Sequence, residues 1–136
     1  MTAAAYRHHL RLHVRAERVA VCRLDAAEPI PRWADGSGFV TISRTDAELS
    51  VVCAADRVPG DVKAERGYAV IGVEGTLAPD LVGVLASLAA PLADAGIPIL
   101  AIGTYDTDYV LIRDTTLDRA VSALRDAGHD IVVASV

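Results

Sequence analysis

The sequence predicts an α+β protein of two units, the second a βαββαβ run and the first a shortened version of it. Three observations predict this. Short runs rich in Val and Ile alternate with polar residues, as half-buried strands do. Two longer segments repeat their apolar residues at helical spacing instead. Gly and Pro mark the joints between these runs. With 52% hydrophobic and 23% charged residues among 136, the chain has the material for a packed core, and its composition is not that of a disordered segment. Aromatics are only 4%, so Ala, Val and Leu must fill that core.

The second half carries the pattern most plainly. Tyr68 to Glu74, YAVIGVE, is a short β-rich run, and Gly75 to Pro79 reads as a loop. Leu81, Val84, Leu85, Leu88 and Leu92 then recur on one helical face, with Asp80, Ser87 and Asp94 off that stripe. Gly83 falls in the first turn, where the lack of a Cβ lets a ligand approach the backbone. Pro91 predicts a kink or a weak last turn, and Gly96 a C-terminal stop. A strand from Ile97 to Ile102, a polar turn and a strand from Tyr109 to Ile112 follow. Thr115 with Asp118 predicts the N-cap of a second helix, whose inner face is Leu117, Ala120, Val121 and Leu124. Gly128 closes it, and Ile131 to Val133 forms a last strand. This order is that of a ferredoxin-like unit, an antiparallel sheet with two helices on one face.

The first half is looser. Leu10, Leu12 and Val14 alternate with His13 and Arg15, and a strand from Val19 to Leu24 is expected as the hairpin partner across Ala16–Glu17. Pro29 to Asp35 predicts a short helix, packed by Trp33. Val40 and Ile42, then Leu49, Val51 and Cys53, predict two strands. Residues 54–67 are polar and contain Pro-Gly, as a linker or connecting loop would. The expected units are residues 1–62, an abridged copy, and 63–136.

Composition also bounds function. A net charge of −5 and a pI near 5.2 argue against nucleic acid as partner. Arg7, Arg11, Arg15, Arg18 and Arg23 set against Glu17 read as a solvated strand surface. Cys22 and Cys53 sit in apolar alternating runs and read as buried free thiols. The start, MTAAAYRHHL, has no apolar core of signal-peptide length, so a cytoplasmic protein is expected. Residues 81–103 carry only Asp94 as a charge, but Pro91, Gly96 and Pro98 break the segment. Asp94 near a bilayer centre would cost ~2.5–3.5 kcal/mol. A buried helix, a turn and a strand account for it without a membrane.

The stretch GTYDTDYVLIR, residues 103–113, is more polar than a hairpin tip requires. A right-handed βαβ crossover makes its strands run the same way, so the strands over 68–74 and 97–102 end at one sheet edge. The loop over 75–80, the first helix's start and the turn over 103–108 should therefore cluster. A helix N-terminus suits a carboxylate, and the acidic turn suits an ammonium. Together they fit a zwitterion, a free amino acid.

With TYDTDYVLI following LAAPLADAGIPILAIG, the unit resembles an ACT domain. More narrowly, it is similar to small bacterial tandem-ACT proteins and to the animal CASTOR arginine sensors. The resemblance covers residues 38–129 well. It implies regulatory amino-acid binding at an interface between ACT units, without catalysis. The family's ligand-contacting positions carry over to Gly83 with Val84, and to Thr104, Tyr105 and Asp108. The animal sensors hold four ACT units in one chain; here an interface between chains would replace the internal one.

Other chemistries find less support. Asp106 and Asp108 also suit an ordinary turn. A metal at D-T-D lacks a third ligand nearby, and paired carboxylates for acid–base work lack a nucleophile or cofactor motif. Tyr105 and Tyr109 also suit capping the sheet. His8, His9 and His13 follow strand alternation, without zinc-ligand spacing to either cysteine. The expectation is a cytoplasmic, non-catalytic, homodimeric amino-acid sensor without cofactor, which acts on a regulated protein partner. The alternative is a protein-interaction module with a vestigial pocket.

Overall fold

A computed structural model of the chain describes residues 8–134; Arg7, one of the arginines of the expected surface, lies outside them. The strands are β1 (Arg11–Leu24), β2 (Thr41–Arg44), β3 (Leu49–Ala54), β4 (Ala64–Val73), β5 (Leu100–Gly103), β6 (Asp108–Arg113) and β7 (Asp130–Val133). The helices are α1 (Val84–Asp94) and α2 (Leu117–Asp126). Among the described residues, no helix is long and apolar enough to cross a membrane.

The chain packs as two compact units. One is residues 17–68; the other joins residues 8–16 to residues 69–134. β1 and β4 each contribute to both units, β1 dividing after Ala16 and β4 after Tyr68.

Unit 17–68 is built of strands and three-residue 3-10 turns. β3 pairs antiparallel with β1, from Val19↔Ala54 to Leu24↔Leu49, and β2 pairs antiparallel with β3. The expected hairpin across Ala16–Glu17 is absent, and β1 continues through it as one strand. The reason is local: neither residue supplies the positive φ a tight hairpin needs. The expected helix over 29–35 is a 3-10 turn, Arg32–Ala34, entered from Pro31. The expected linker over 54–67 holds a 3-10 turn, Ala55–Arg57, and the first residues of β4. Ala20, Cys22, Ala34, Leu49, Val51, Cys53 and Val58 form the core, with Trp33 packed against it. Arg57 braces the surrounding loop, donating from Nε to the Trp33 carbonyl at 3.1 Å and from Nη1 to the Ser37 carbonyl at 2.9 Å.

Cys22 and Cys53 are free and buried, as the alternation implied. Burial pushes the Cys22 thiol up from 9.0 to about 11; Cys53 adds to the rise and Arg66 opposes it. Burial also raises the Cys53 thiol, with Arg57 opposing. Neither is a ready nucleophile. Iodoacetamide at pH 8 should leave both unmodified in the folded chain and alkylate both in denaturant, as mass spectrometry would show. The linkage has a definite sign. Because the folded state holds Cys22 neutral, its contribution is complete below pH 9 and is lost as pH rises toward 11. Denaturation curves should show a loss on the order of 1–2 kcal/mol across that window, reduced in Cys22→Ala.

The second unit has the strand order β7–β1–β4–β6–β5. A plain βαββαβ sheet sets its last strand beside its first. Here β1 fills that place, pairing parallel with β7 from Arg11↔Asp130 to Val14↔Val133, and the Glu74 N–H donates to the Arg11 carbonyl at 2.9 Å on its other side. Leu12 and Val14, Ala69, Ile71 and Val73, Val110 and Ile112, and Ile131 share one core with α1 and α2. The alternation of strand residues puts them on a single face. On the other face, Gly72 lies under two rings. A Cβ there would come within 2.6 Å of Tyr109 and 2.8 Å of His13, whose rings meet edge to face at 6.4 Å.

Both helices end in the same way. Gly96, at φ 72°, donates to the Ala93 carbonyl while Ile97 donates to that of Leu92. Gly128, at φ 95°, donates to the Arg125 carbonyl while His129 donates to that of Leu124. These are paired Schellman closures, with glycine where the left-handed residue is needed. The helix starts differ from expectation. The second helix has Thr116, not Thr115, at its N-cap, with no side-chain cap; the Thr116 hydroxyl donates to the Arg113 carbonyl at 2.9 Å instead. α1 begins at Val84, so Gly83 is its N-cap and not part of its first turn. The buried stripe of α1 is Val84, Ser87, Leu88 and Leu92, while Leu81 and Leu85 are exposed.

Candidate functional site

All five residues singled out from the sequence belong to the second unit. Gly83 has φ 91° and ψ 4°, a left-handed conformation that glycine takes without strain. It ends the loop from β4 and starts α1, with no side-chain cap. The first-turn N–H groups of a helix have no acceptor within the helix and carry its partial positive charge. Val84, the next residue, is buried in the core, so it anchors the helix start and offers only its backbone to a ligand.

The other three lie on the β5–β6 turn. The Thr104 N–H donates to the Thr107 carbonyl at 2.9 Å. The Thr104 hydroxyl donates to that carbonyl at 3.1 Å and accepts from the Thr107 N–H at 3.3 Å. Thr104 is therefore engaged in holding the turn. Tyr105 projects into solvent, 95% exposed. Asp108 opens β6 opposite Gly103, with its carboxylate beside the Gly103 α-carbon.

Two bonds fasten this turn to the end of β4 and to the loop that follows it. The Leu77 N–H donates to the Asp106 carbonyl at 2.7 Å. The Thr107 hydroxyl, buried, donates to the Val73 carbonyl at 2.7 Å. The loop leading to Gly83 and the acidic turn are thus tied together, as the crossover's handedness required. Part of the turn's polarity is structural: Thr104 and Thr107 are spent inside it, and Asp106 acts through its carbonyl.

Thr107 was overlooked in the sequence, where alternation treats a threonine between two aspartates as solvated. Replacing it with valine keeps the shape and removes the donor to Val73. Thr107→Val should lower unfolding free energy by about 1–3 kcal/mol, while Thr107→Ser retains most of it. Equal urea midpoints for wild type and valine variant would show that this bond contributes nothing.

Three further polar residues were not selected from the sequence as site residues. Ser87 is buried on α1; its hydroxyl donates to the Gly83 carbonyl at 2.9 Å and accepts the His8 N–H at 2.8 Å. The His8 ring meets the Val82 carbonyl through Nε2 at 2.6 Å. His129, also buried, bridges the Leu10 N–H at Nδ1 and the Ser87 carbonyl at Nε2. A sequence signal for His129 exists in hindsight. Residues 94–97 read DAGI and 126–129 read DAGH, so a histidine stands where the sister closure has an apolar residue. Among the described residues, no group of three or more His, Cys, Asp or Glu side chains is placed to hold a metal ion.

The comparisons with known proteins agree with this architecture. A family model for the ACT domain matches residues 63–126, and a second, described as an N-terminal domain, matches 17–61. The solved structure of Atu0741 from Agobacterium tumefaciens is 38% identical, with TM-score 0.90; the match covers 95% of this chain and 96% of that one. VC0802 from Vibrio cholerae is 20% identical over 88% of this chain and 90% of its own, with TM-score 0.66. The ligand-free regulatory subunit of aspartate kinase from Thermus thermophilus has the same fold at 10% identity, covering 84% of this chain and 96% of its own, with TM-score 0.58. No curated protein matches. The chain belongs to the family of Atu0741, and its residues 63–126 match the model of the ACT domain.

Proposed function

We propose that this chain is a non-catalytic regulatory protein that binds a free amino acid at an interface between ACT units of two copies. The observation that carries the reading is the 2.7 Å bond from the Leu77 N–H to the Asp106 carbonyl, which fastens the loop leading into an uncapped helix start to an acidic turn. Opposite charges near one another suit the two ends of a zwitterion. In this reading the first-turn N–H groups after Gly83 and Val84 take the carboxylate. Asp108 takes the ammonium, and Thr104 and Tyr105 shape the turn around it. Likeness to the CASTOR arginine sensors at TYDTDYVLI supports a sensing role, and arginine is not carried over as the ligand.

The proposed assembly is a cytoplasmic homodimer that transmits occupancy to a regulated protein. Exposed apolar residues on the short strands support it: Leu100 on β5, and Val132 and Val133 on β7. Uncovered strand edges of this kind invite pairing. Light scattering at micromolar concentration should give twice the chain mass; a folded monomer would remove the inter-chain site.

Isothermal titration against each of the twenty amino acids tests the reading as a whole. Heat from at least one, with the amino acid recovered unchanged, is the expected result. Silence across the panel would favour an interaction module, for which the exposed Leu81, Val82 and Leu85 beside Gly83 supply the specific observation.

A further inference from the structure

Pro91 sits inside α1, where it has no N–H to give to the carbonyl four residues back. That carbonyl belongs to Ser87, a buried residue, so the helix itself gives it one donor fewer than an ordinary turn would. His129 supplies the donor, its Nε2 lying 2.9 Å from the Ser87 oxygen. Since a carbonyl only accepts, Nε2 carries the proton. Nδ1 then accepts, and the Leu10 N–H stands 3.1 Å from it. The proline thus selects the histidine tautomer, and the tautomer holds the start of the chain's first strand. Ser87 continues the path: its hydroxyl takes the His8 N–H and gives its own proton to the Gly83 carbonyl.

We infer that Pro91 and His129 are a matched pair whose role is to position the start of α1, and that His129 is a positioning residue for whatever binds there. Residues from three places converge on Ser87: the segment before β1, the α2–β7 junction and Gly83. An ordinary residue in place of Pro91 would offer the Ser87 carbonyl a second donor from within the helix, in competition with His129. An apolar residue in place of His129, as in the DAGI closure, would remove the donor to the Ser87 carbonyl and the acceptor of the Leu10 N–H together. The link to ligand binding rests on the amino-acid reading above; the tautomer and the coupling do not.

Nitrogen NMR of the imidazole and hydrogen exchange on the full chain, without added ligand, test the pair. Wild type should show a single Nε2–H tautomer at His129, with slow exchange of that proton and of the Leu10 amide. In Pro91→Ala, the backbone N–H that the substitution restores competes for the Ser87 carbonyl, and the His129 ring proton should exchange about tenfold faster. His129→Gln keeps a donor for Ser87 but loses the acceptor for Leu10; His129→Asn does the reverse. The first should therefore preserve protection at Ser87 and Leu88 while releasing Leu10. The second should preserve Leu10 and release the start of α1. An Nδ1–H tautomer in wild type would overturn the inference, as would identical exchange in Pro91→Ala. So would equal losses at both places in the two His129 variants, the pattern of general loosening. A thermal-shift series with an equimolar mixture of the twenty amino acids separates this from the function. If wild type does not shift, the amino-acid reading fails and the pair is judged by NMR and exchange alone. If wild type shifts, His129→Asn should lose most of the shift, and a full shift would overturn the positioning role.

Discussion

Leu88→Asp should abolish the folded state of this chain. Leu88 is fully buried on the inner face of α1, in the core shared with β1, β4, β6 and α2. Truncating such a leucine already costs about 2–5 kcal/mol, and an unpaired buried carboxylate adds several more. The sum rivals the whole stability of a typical domain, about 5–15 kcal/mol. Two controls sharpen the result. Asp94→Lys changes an exposed residue in the last turn of α1, where a cation suits the helix dipole, so folding should be unharmed. Leu85→Asp is the more informative control. Helical spacing put Leu85 on the apolar stripe, but it is 41% exposed, and its replacement should cost less than about 1 kcal/mol. Far-ultraviolet circular dichroism on heating separates the three. A Leu85→Asp loss as large as that of Leu88→Asp would mean that another surface covers Leu85 in solution.

The contrast between Leu85 and Leu88 shows what the sequence could and could not convey. Among the described residues, periodicity located both helices and six of the seven strands to within a few residues, because each buries one face and the spacing of apolar residues records it. The exception is β1, read as two strands. Its unbroken course was nevertheless legible, since Ala16–Glu17 offers no turn residue. What no local pattern records is pairing between distant segments. The insertion of β1 between β7 and β4 joins residues more than a hundred positions apart, and alternation is the same whichever neighbour a strand has. The start of α1 was misplaced because Leu81 and Leu85 continue the helical spacing beyond the part that is covered. Around the candidate site, the handedness of the βαβ crossover foretold that the loop after β4 would meet the β5–β6 turn, and the bond from Leu77 to Asp106 is that meeting. Thr107 and Ser87 were not legible as parts of that region, and His129 shows only as the one departure of the DAGH closure from its sister DAGI. A polar residue that is buried looks like one that is solvated until its partners are known, and their partners are backbone groups with no side-chain signature.

Asp108→Asn should weaken amino-acid binding by roughly 10- to 150-fold, about 1.5–3 kcal/mol, while leaving the melting temperature nearly unchanged. The argument turns on what holds the turn. Its backbone is fixed by Thr104, by Thr107 and by the Asp106 carbonyl, none of which involves the Asp108 carboxylate. Asparagine keeps the size and the β6 register, so only the charge is removed. Asp106→Asn should do less, because that residue contributes its carbonyl to Leu77 and the substitution preserves it. Gly83→Val attacks the other end of the proposed ligand and carries a structural penalty as well. At φ 91°, a β-branched residue is strained by about 1–2 kcal/mol, so its loss of binding has to be judged against a lowered melting temperature. The ligand provides a cleaner test. Whichever amino acid gives heat in titration, its amide should fail for want of a carboxylate at the helix start. Its N-acetyl derivative should fail for want of an ammonium at Asp108. An amide that binds as tightly as its parent would remove the α1 start from the site. Normal binding by Asp108→Asn, with melting lowered by many degrees, would make that carboxylate a brace for the turn and move the ammonium's partner elsewhere.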